Sequence, residues 1–334
     1  MKKLLPLVIV FAVIAACQPR QVYKKMNFSG MAQGTYYAVT YYDHLDRNFQ
    51  PQVDSLLDAF DMSVSMWVPE SVISRINRGG NPGEVMLDNT FIETYKLARK
   101  IAEQSNGAFD YTIGPLVNAW GFGFEDRQRV DQAMVDSLLP LVNYHYVTLV
   151  GDRILLEKPG IQFDFNAVAQ GYSVDLVGDF LASKGIRNYL VDIGGEVLAV
   201  GEKPREGKWK IGIEKPSEDE LSERKLQTML ELKNKAMATS GSYRKFYEED
   251  GIRYSHTIDP ATGFPVQHTL LSVSVIADDC GTADAWATAF MVMGVESAKE
   301  ILAGHKELEA YFIFSNEDGS LGTYFTEGIK EMIR

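Results

Sequence analysis

NYLVDIGGEVLAVG, residues 188–201, sets two strand-like runs on either side of the glycine pair Gly194-Gly195. A glycine pair between strands permits positive φ and close approach of the backbone to a ligand, and it equally makes a plain hairpin turn. Further short strand candidates surround it: YVTLV (146–150), RILLE (153–157), IQFDF (161–165), WKIGIE (209–214) and LLSVSVIAD (270–278). Helical patterns interrupt them without strict βαβ alternation. The chain therefore predicts an α+β fold of mixed or antiparallel sheets with packed helices rather than a doubly wound sheet.

The helical segments are read from apolar spacing. PQVDSLLDAFDMSVSMW predicts a helix to about Met62, and NTFIETYKLARKIAEQSNG predicts another, closed by Asn106-Gly107 as a C-cap. AVAQGYSVDLVGDFLASKG is a third, ended by Gly185. Ahead of them, GTYYAVTYYDHL alternates as a strand does. PESVISRINRGGNPG (69–83) reads as loop and turn, and the charged EKPSEDELSERKLQ (214–227) as an exposed loop. No repeat occurs at solenoid periods.

The 334 residues are 46% hydrophobic and 23% charged, enough for one large domain or two modest ones. A formal net charge of −12 argues against a general electrostatic grip on nucleic acid. The N-terminus, MKKLLPLVIVFAVIAACQPR, has two lysines, a short apolar core and small residues running into Cys17, the pattern of a secretory signal. Ile14-Ala15-Ala16-Cys17 resembles a bacterial lipobox, so residues 1–16 are expected to be a signal peptide and 17–28 a lipid-anchored polar tether. Residues 29–334 then form the folded domain. The expected location is the bacterial cell membrane, facing the periplasm or exterior. Cys280 is the one other cysteine, so a lipidated Cys17 leaves no internal disulfide, and Cys280 reads as a partly buried structural thiol.

Several segments carry chemistry. In GTADAWATAFMVMG (281–294), Asp284 and Thr288 stand four apart, on one face of a helix, where a carboxylate and a hydroxyl form a hard-oxygen set suited to Mg²⁺. The bland alternative is a helix-terminal Asp and a packed Thr. NGAFDYTIGPLVNAWGFG (106–123) places Asp110 and Thr112 among aromatics and glycines, as a flat ring system with polar edges requires. MATSGSYRKFY brings Arg244 to a hydroxyl-rich turn. YSHTIDPATGFPV brings His256 and Asp259 to a turn fixed by Pro260 and Gly263, and His256 is the natural general base. No G-x-S-x-G elbow supports a Ser-His-Asp hydrolase.

In this order QGTYY, SMWVPESVISRIN, GAFDYTIGPLVNAWGFG, DFNAVAQGYSVD, VDIGGEVLAVG, ATSGSYRKF, SHTIDPATGFPV and DAWATAFMVMG resemble the FAD:protein FMN transferase (ApbE) family over nearly the whole mature chain. The resemblance implies a Mg²⁺-dependent enzyme. It would break the pyrophosphate of FAD, join FMN by a phosphoester to a threonine of an acceptor flavoprotein such as a redox-driven ion pump subunit, and release AMP. It also implies Asp284, Thr288 and the backbone carbonyl of Ala167 as Mg²⁺ ligands, and flavin and adenosine contacts from Gln33, Trp67, Ala108, Phe109, Asp110, Asp164 and Gln170. His256 is the candidate base for the acceptor threonine.

Two positions depart from the family pattern. Gln33-Gly34-Thr35 stands where many members have Met-Gly-Thr, and Ala169-Gln170-Gly171 where many have Ala-Lys-Gly. The second removes a positive charge from a site that handles diphosphate, so that either the metal and Arg244 carry more of the load or FAD affinity is lower. Water in place of threonine would make the same site an FAD pyrophosphatase giving FMN and AMP. A lipoprotein that stores or presents FAD without turnover is the non-enzymatic alternative.

Overall fold

A computed structural model describes residues 22–79, 82–123, 130–217, 225–242, 246–249 and 252–334. In chain order the elements are β1 (Lys24–Ala32), β2 (Thr35–Asp43), α1 (Gln50–Val64), α2 (Val72–Asn77), α3 (Asn89–Gln104), α4 (Gly114–Ala119), α5 (Gln132–Leu138), β3 (Val147–Val150), β4 (Arg153–Leu156) and α6 (Asn166–Ser183). There follow β5 (Tyr189–Ile193), β6 (Glu196–Val200), β7 (Trp209–Glu214), β8 (Leu226–Leu232), β9 (Lys235–Gly241), β10 (Phe246–Glu249), β11 (Ile252–Ser255), β12 (Leu270–Ala277), α7 (Cys280–Leu302), β13 (Glu309–Ser315), β14 (Leu321–Phe325) and α8 (Glu327–Met332).

Residues 188–201 form the hairpin at the middle of the molecule. β5 and β6 pair antiparallel from Tyr189 opposite Val200 to Ile193 opposite Glu196, with Gly194 at φ 64° and Gly195 at φ 116° in the turn. Around this hairpin the described residues build an eight-stranded sheet in the order β1-β2-β5-β6-β9-β12-β13-β14, with every neighbouring pair antiparallel. The α+β expectation holds.

Alternation along the strands feeds two cores. On one face Val191, Val273, Val275 and Phe312 pack with α3, α6 and α7. On the other Val197, Ala199, Ile276 and Ile313 meet Trp209, Ile211 and Leu230 of the β7–β8 hairpin and Ile329 of α8. A smaller cluster, Leu116, Trp120, Val135 and Ile258, seats α4 and α5 beside the sheet.

Local chemistry explains the helix limits. The Asp88 side chain accepts the Phe91 amide at 2.8 Å to start α3, and Gly107 at φ 81° closes it by donating to the Ala102 carbonyl at 2.9 Å. Three expectations need correction. Residues 24–28 belong to β1, not to a tether, because each pairs with a β2 residue between Val39 and Asp43. The 69–83 segment contains α2, whose N-cap Ser71 accepts the Ser74 amide at 3.1 Å. IQFDF is not a strand. Gln162 makes one isolated bridge to Ile113, and Asn77 holds the Phe163 backbone through two 2.7 Å hydrogen bonds. The 214–227 loop is bounded by β7 and β8, which opens at Leu226. The signal and lipobox residues up to Cys17, residues 218–224 of that charged loop, and Arg244 lie outside the described residues. Among those described, no helix is long and apolar enough to cross a membrane.

Candidate active site

The site is built where α6 crosses α7. Gly171 allows the crossing, since a Cβ there would lie 2.4 Å from the Cys280 carbonyl oxygen and 2.7 Å from the Asp284 Cβ. Its amide donates to Asp284 Oδ2 at 2.9 Å. Ala167 stands one helical turn before Gly171 on α6. Thr288 follows one turn after Asp284 on α7, its hydroxyl 3.3 Å from Ser240 Oγ of β9. Ala167 and Thr288 open onto the adjacent cleft. Asp284 lies behind them, only 7% exposed.

A second carboxyl reaches this corner, and the sequence reading missed it. Glu196, the first residue of β6, lies beside Asp284. Burial first, and then the charge of Asp284, push the Glu196 carboxyl well above its ordinary range. Burial pushes the Asp284 carboxyl up as well, against the stabilising Gly171 amide. Two carboxyls held up in this way bind a cation favourably, because the cation replaces the stabilisation that burial removed. Asp284, Thr288 and the Ala167 carbonyl are hard oxygen donors, the set that suits Mg²⁺. The one sequence signal for Glu196 was its place directly after the glycine pair.

Gln170 ties the crossing to the hairpin. Its amide nitrogen donates to the Ile193 carbonyl at 2.8 Å and to the Glu196 carboxylate. That amide occupies the space a side chain at residue 194 would need, 2.0 Å from an ideal Cβ, which is why the turn requires glycine there. Gln170 thus uses its donor group within the protein, although the residue still borders the cleft.

The cleft itself is about 800 Å³. Gln33, Trp67, Ala108, Phe109, Asp110, Asp164, Gln170 and His256 all line it, so the structure gathers every expected contact residue around one cavity. Their surroundings differ. Gln33, at φ 53°, accepts a hydrogen bond from Ser173 at 3.2 Å, while its buried amide nitrogen has no partner among the described residues. Trp67 is 62% exposed and stands at the rim. Asp110 accepts the Thr112 amide and hydroxyl at 2.8 and 2.7 Å and the Tyr144 amide at 2.9 Å, so it orders the 106–112 loop as well as facing the cleft. Asp164 accepts the first amide of α6, from Asn166, at 2.8 Å, and burial pushes its carboxyl up to about 6.

His256 faces Phe122 edge-on, with ring centroids 6.3 Å apart. Asp259 turns to its own loop instead, accepting the Ala261 amide at 2.8 Å and the Thr262 hydroxyl at 3.1 Å. Cys280 is fully buried, and burial raises its thiol well above the ordinary value, so it is a packed thiol rather than a nucleophile.

The ApbE family model matches residues 33–312, which contain every one of these residues. The chain is 34% identical to an FAD:protein FMN transferase of Vibrio cholerae over 92% of both chains, and 33% identical to one of Haemophilus influenzae over 96% of this chain and 95% of the other. Its structure resembles that of the flavin transferase ApbE from Vibrio cholerae, with a TM-score of 0.83, 32% identity and coverage of 93% of this chain and 100% of that one. The apo flavinyl transferase ApbE of Pseudomonas stutzeri gives the same TM-score and identity over 95% and 98%. With a family match across most of its length, and relatives above 30% identity over nearly all of it, the chain belongs to the ApbE family.

Proposed function

We propose that this chain is an FAD:protein FMN transferase that uses Mg²⁺ and joins FMN to a threonine hydroxyl of an acceptor flavoprotein. One observation carries the reading. A single cleft is lined both by aromatic and polar side chains, among them Trp67, Asp110 and Asp164, and by Ala167 and Thr288 of the α6–α7 crossing, where Asp284 is buried against the Gly171 amide. A dinucleotide needs both at once, the first for its rings and the second for its diphosphate. Asp284, Thr288 and the Ala167 carbonyl would hold the metal, which when bound neutralises the charge that develops on the diphosphate oxygens.

The protein's own groups do the rest. The exposed Trp67 offers a face to a ring system, the buried Phe109 backs the cleft from the core, and Gln33 and Asp164 offer a donor and an acceptor. His256 takes the proton from the acceptor threonine as its oxygen bonds to the FMN phosphorus. The anhydride P–O bond breaks and AMP leaves with the electron pair, so one FAD and one hydroxyl give one phosphoester, one AMP and one proton. Gln170 keeps the hairpin closed on α6 in place of a charged side chain.

Incubation with FAD, Mg²⁺ and a peptide carrying a threonine, read by mass, tests the reading. A peptide heavier by one FMN-phosphoryl group, with AMP in equal amount, is expected. AMP without labelled peptide would favour the pyrophosphatase, and no AMP at all a protein that only binds FAD. The lipobox-like Ile14-Ala15-Ala16-Cys17 further supports anchoring at the outer side of a bacterial membrane. Cys17→Ser should then move the protein from the detergent to the aqueous phase, and unchanged partition would argue against lipidation.

A further inference from the structure

A second set of contacts laces α6 to α7 one turn beyond the metal corner. Asp175 of α6 accepts the Cys280 amide through Oδ1 at 2.7 Å and the Gly281 amide through Oδ2 at 2.8 Å. These are the first two amides of α7, which the helix itself leaves without acceptors. The third, of Thr282, goes to the N-cap Asp279 at 2.7 Å. The spacing repeats the first contact, in which the Gly171 amide meets Asp284. Asp175 is four residues after Gly171, and Cys280 is four before Asp284, so each lacing lies one turn along its own helix.

We infer that Asp175 is a positioning residue for the metal site, fixing the height and rotation of α7 against α6 so that Asp284 and Thr288 meet the Ala167 carbonyl. Both helices carry ligands, and their relative placement is what assembles the set. Three features make the clamp rigid. It is bidentate, it engages two consecutive amides that point along the α7 axis, and Gly171 lets the helices approach too closely for independent sliding. Cys280, whose amide the clamp engages, is itself fully buried. Asp175 touches neither substrate nor metal in this scheme and acts through Asp284 and Thr288.

The inference rests on the proposed Mg²⁺-dependent reaction, and the test separates the two. Asp175→Asn keeps the shape and one acceptor oxygen, and Asp175→Ala keeps neither. Mn²⁺ binding is followed by the electron paramagnetic resonance of the free ion, and AMP release from FAD is followed against Mg²⁺ concentration. Asp175→Asn is expected to weaken Mn²⁺ binding and raise the half-saturating Mg²⁺ about 10-fold or more, the usual effect of removing a group that orients a ligand. The rate at saturating Mg²⁺ and the KM for FAD should stay within about twofold of the unaltered protein, while Asp175→Ala should show a larger metal defect. If Asp175→Ala does not fold, Asp175→Asn alone decides.

Asp43→Asn, which disturbs the pair of buried Asp43 with partly exposed Arg47 outside the cleft lining, controls for general loss of stability. It should lower Tm without changing the Mn²⁺ affinity. A lower Tm with unchanged metal constants in the Asp175 variants, or a rate defect that excess Mg²⁺ does not relieve, overturns the positioning role. An Asp43→Asn effect on Mn²⁺ affinity as large as that of Asp175→Asn overturns it as well. An unaltered protein that binds no Mn²⁺ overturns the metal-dependent reading, and the inference with it.

Discussion

Asp284 is buried, raised by its surroundings, and held by one backbone amide, so its carboxylate is free of the structural duties that occupy Asp110. Asp284→Ala should therefore slow AMP release from FAD on the order of 10³-fold, equivalent to about 4 kcal/mol of transition-state stabilisation. Its Tm should stay near that of the unaltered protein, and full activity in this variant would remove Asp284 from the metal site. His256 invites a different experiment. Its replacement by alanine should leave FAD affinity nearly unchanged while slowing FMN transfer about 10²- to 10⁴-fold, the range for general acid–base assistance. The deficit should shrink as pH rises and hydroxide takes over part of the role. FAD affinity that falls in step with rate would make the imidazole a binding group. At this scale every contact residue that the resemblance implied through its ordered motifs borders the cleft. Glu196 escaped because a single acidic residue after a turn has no meaning until α7 is laid across it. Asp110 showed the converse, since its motif marked the cleft but its oxygens are already committed to Thr112 and Tyr144.

Between elements, the decisive contact is the α6–α7 crossing. Gly171→Ala would put a methyl group 2.4 Å from the Cys280 carbonyl oxygen, so the helices must separate. Overpacking of this kind costs about 1–3 kcal/mol, and separation should also pull the Ala167 carbonyl away from Asp284. The expected outcome is a lower Tm together with a higher Mg²⁺ requirement for AMP release. A variant that loses stability alone would show that the crossing tolerates relaxation. Element types were legible where apolar spacing was regular, as in α1 and α3, or where a glycine closed the helix, as in α3 and α6. The short α2 was hidden because six residues carry too little periodicity, and its start rests on one serine hydroxyl, Ser71. IQFDF misled for the opposite reason. Its apolar residues alternate as a strand would, but they anchor a loop through Asn77 and deliver Asp164 to the start of α6.

Over the whole molecule, burial raises several carboxyls together, and this gives stability a pH dependence of definite sign. Asp61 and Asp164 are pushed up to about 6 and Asp175 to about 7, each mainly by burial. An unfolded aspartate titrates near about 3.9, so between roughly pH 4 and pH 7 the native state holds protons that the unfolded state has released. Stability contributed by these groups is present at the acidic side of that window and is lost as pH rises through it. Asp43 acts in the other direction. The Arg47 guanidinium holds its carboxyl well below the usual range, so its contribution is present above about pH 4 and lost as pH falls. Tm of the protein in chelator should accordingly be higher near pH 5 than at pH 8 or pH 3, as measured by scanning calorimetry. A Tm that climbs steadily toward pH 8 would contradict the burial of these carboxyls.

By itself the sequence determined the α+β class, the main helices, the family, and the segments that border the cleft, because each of these is written in local patterns of side-chain type and turn chemistry. Only the tertiary structure decided which of those segments meet. The facing of Glu196 and Asp284 joins residues 88 positions apart, and the pairing of β2 with β5 and the capping of α7 by Asp175 join residues more than 100 apart along the chain. Such contacts follow from packing two helices on a twisted antiparallel sheet, a geometry that no short window of sequence encodes.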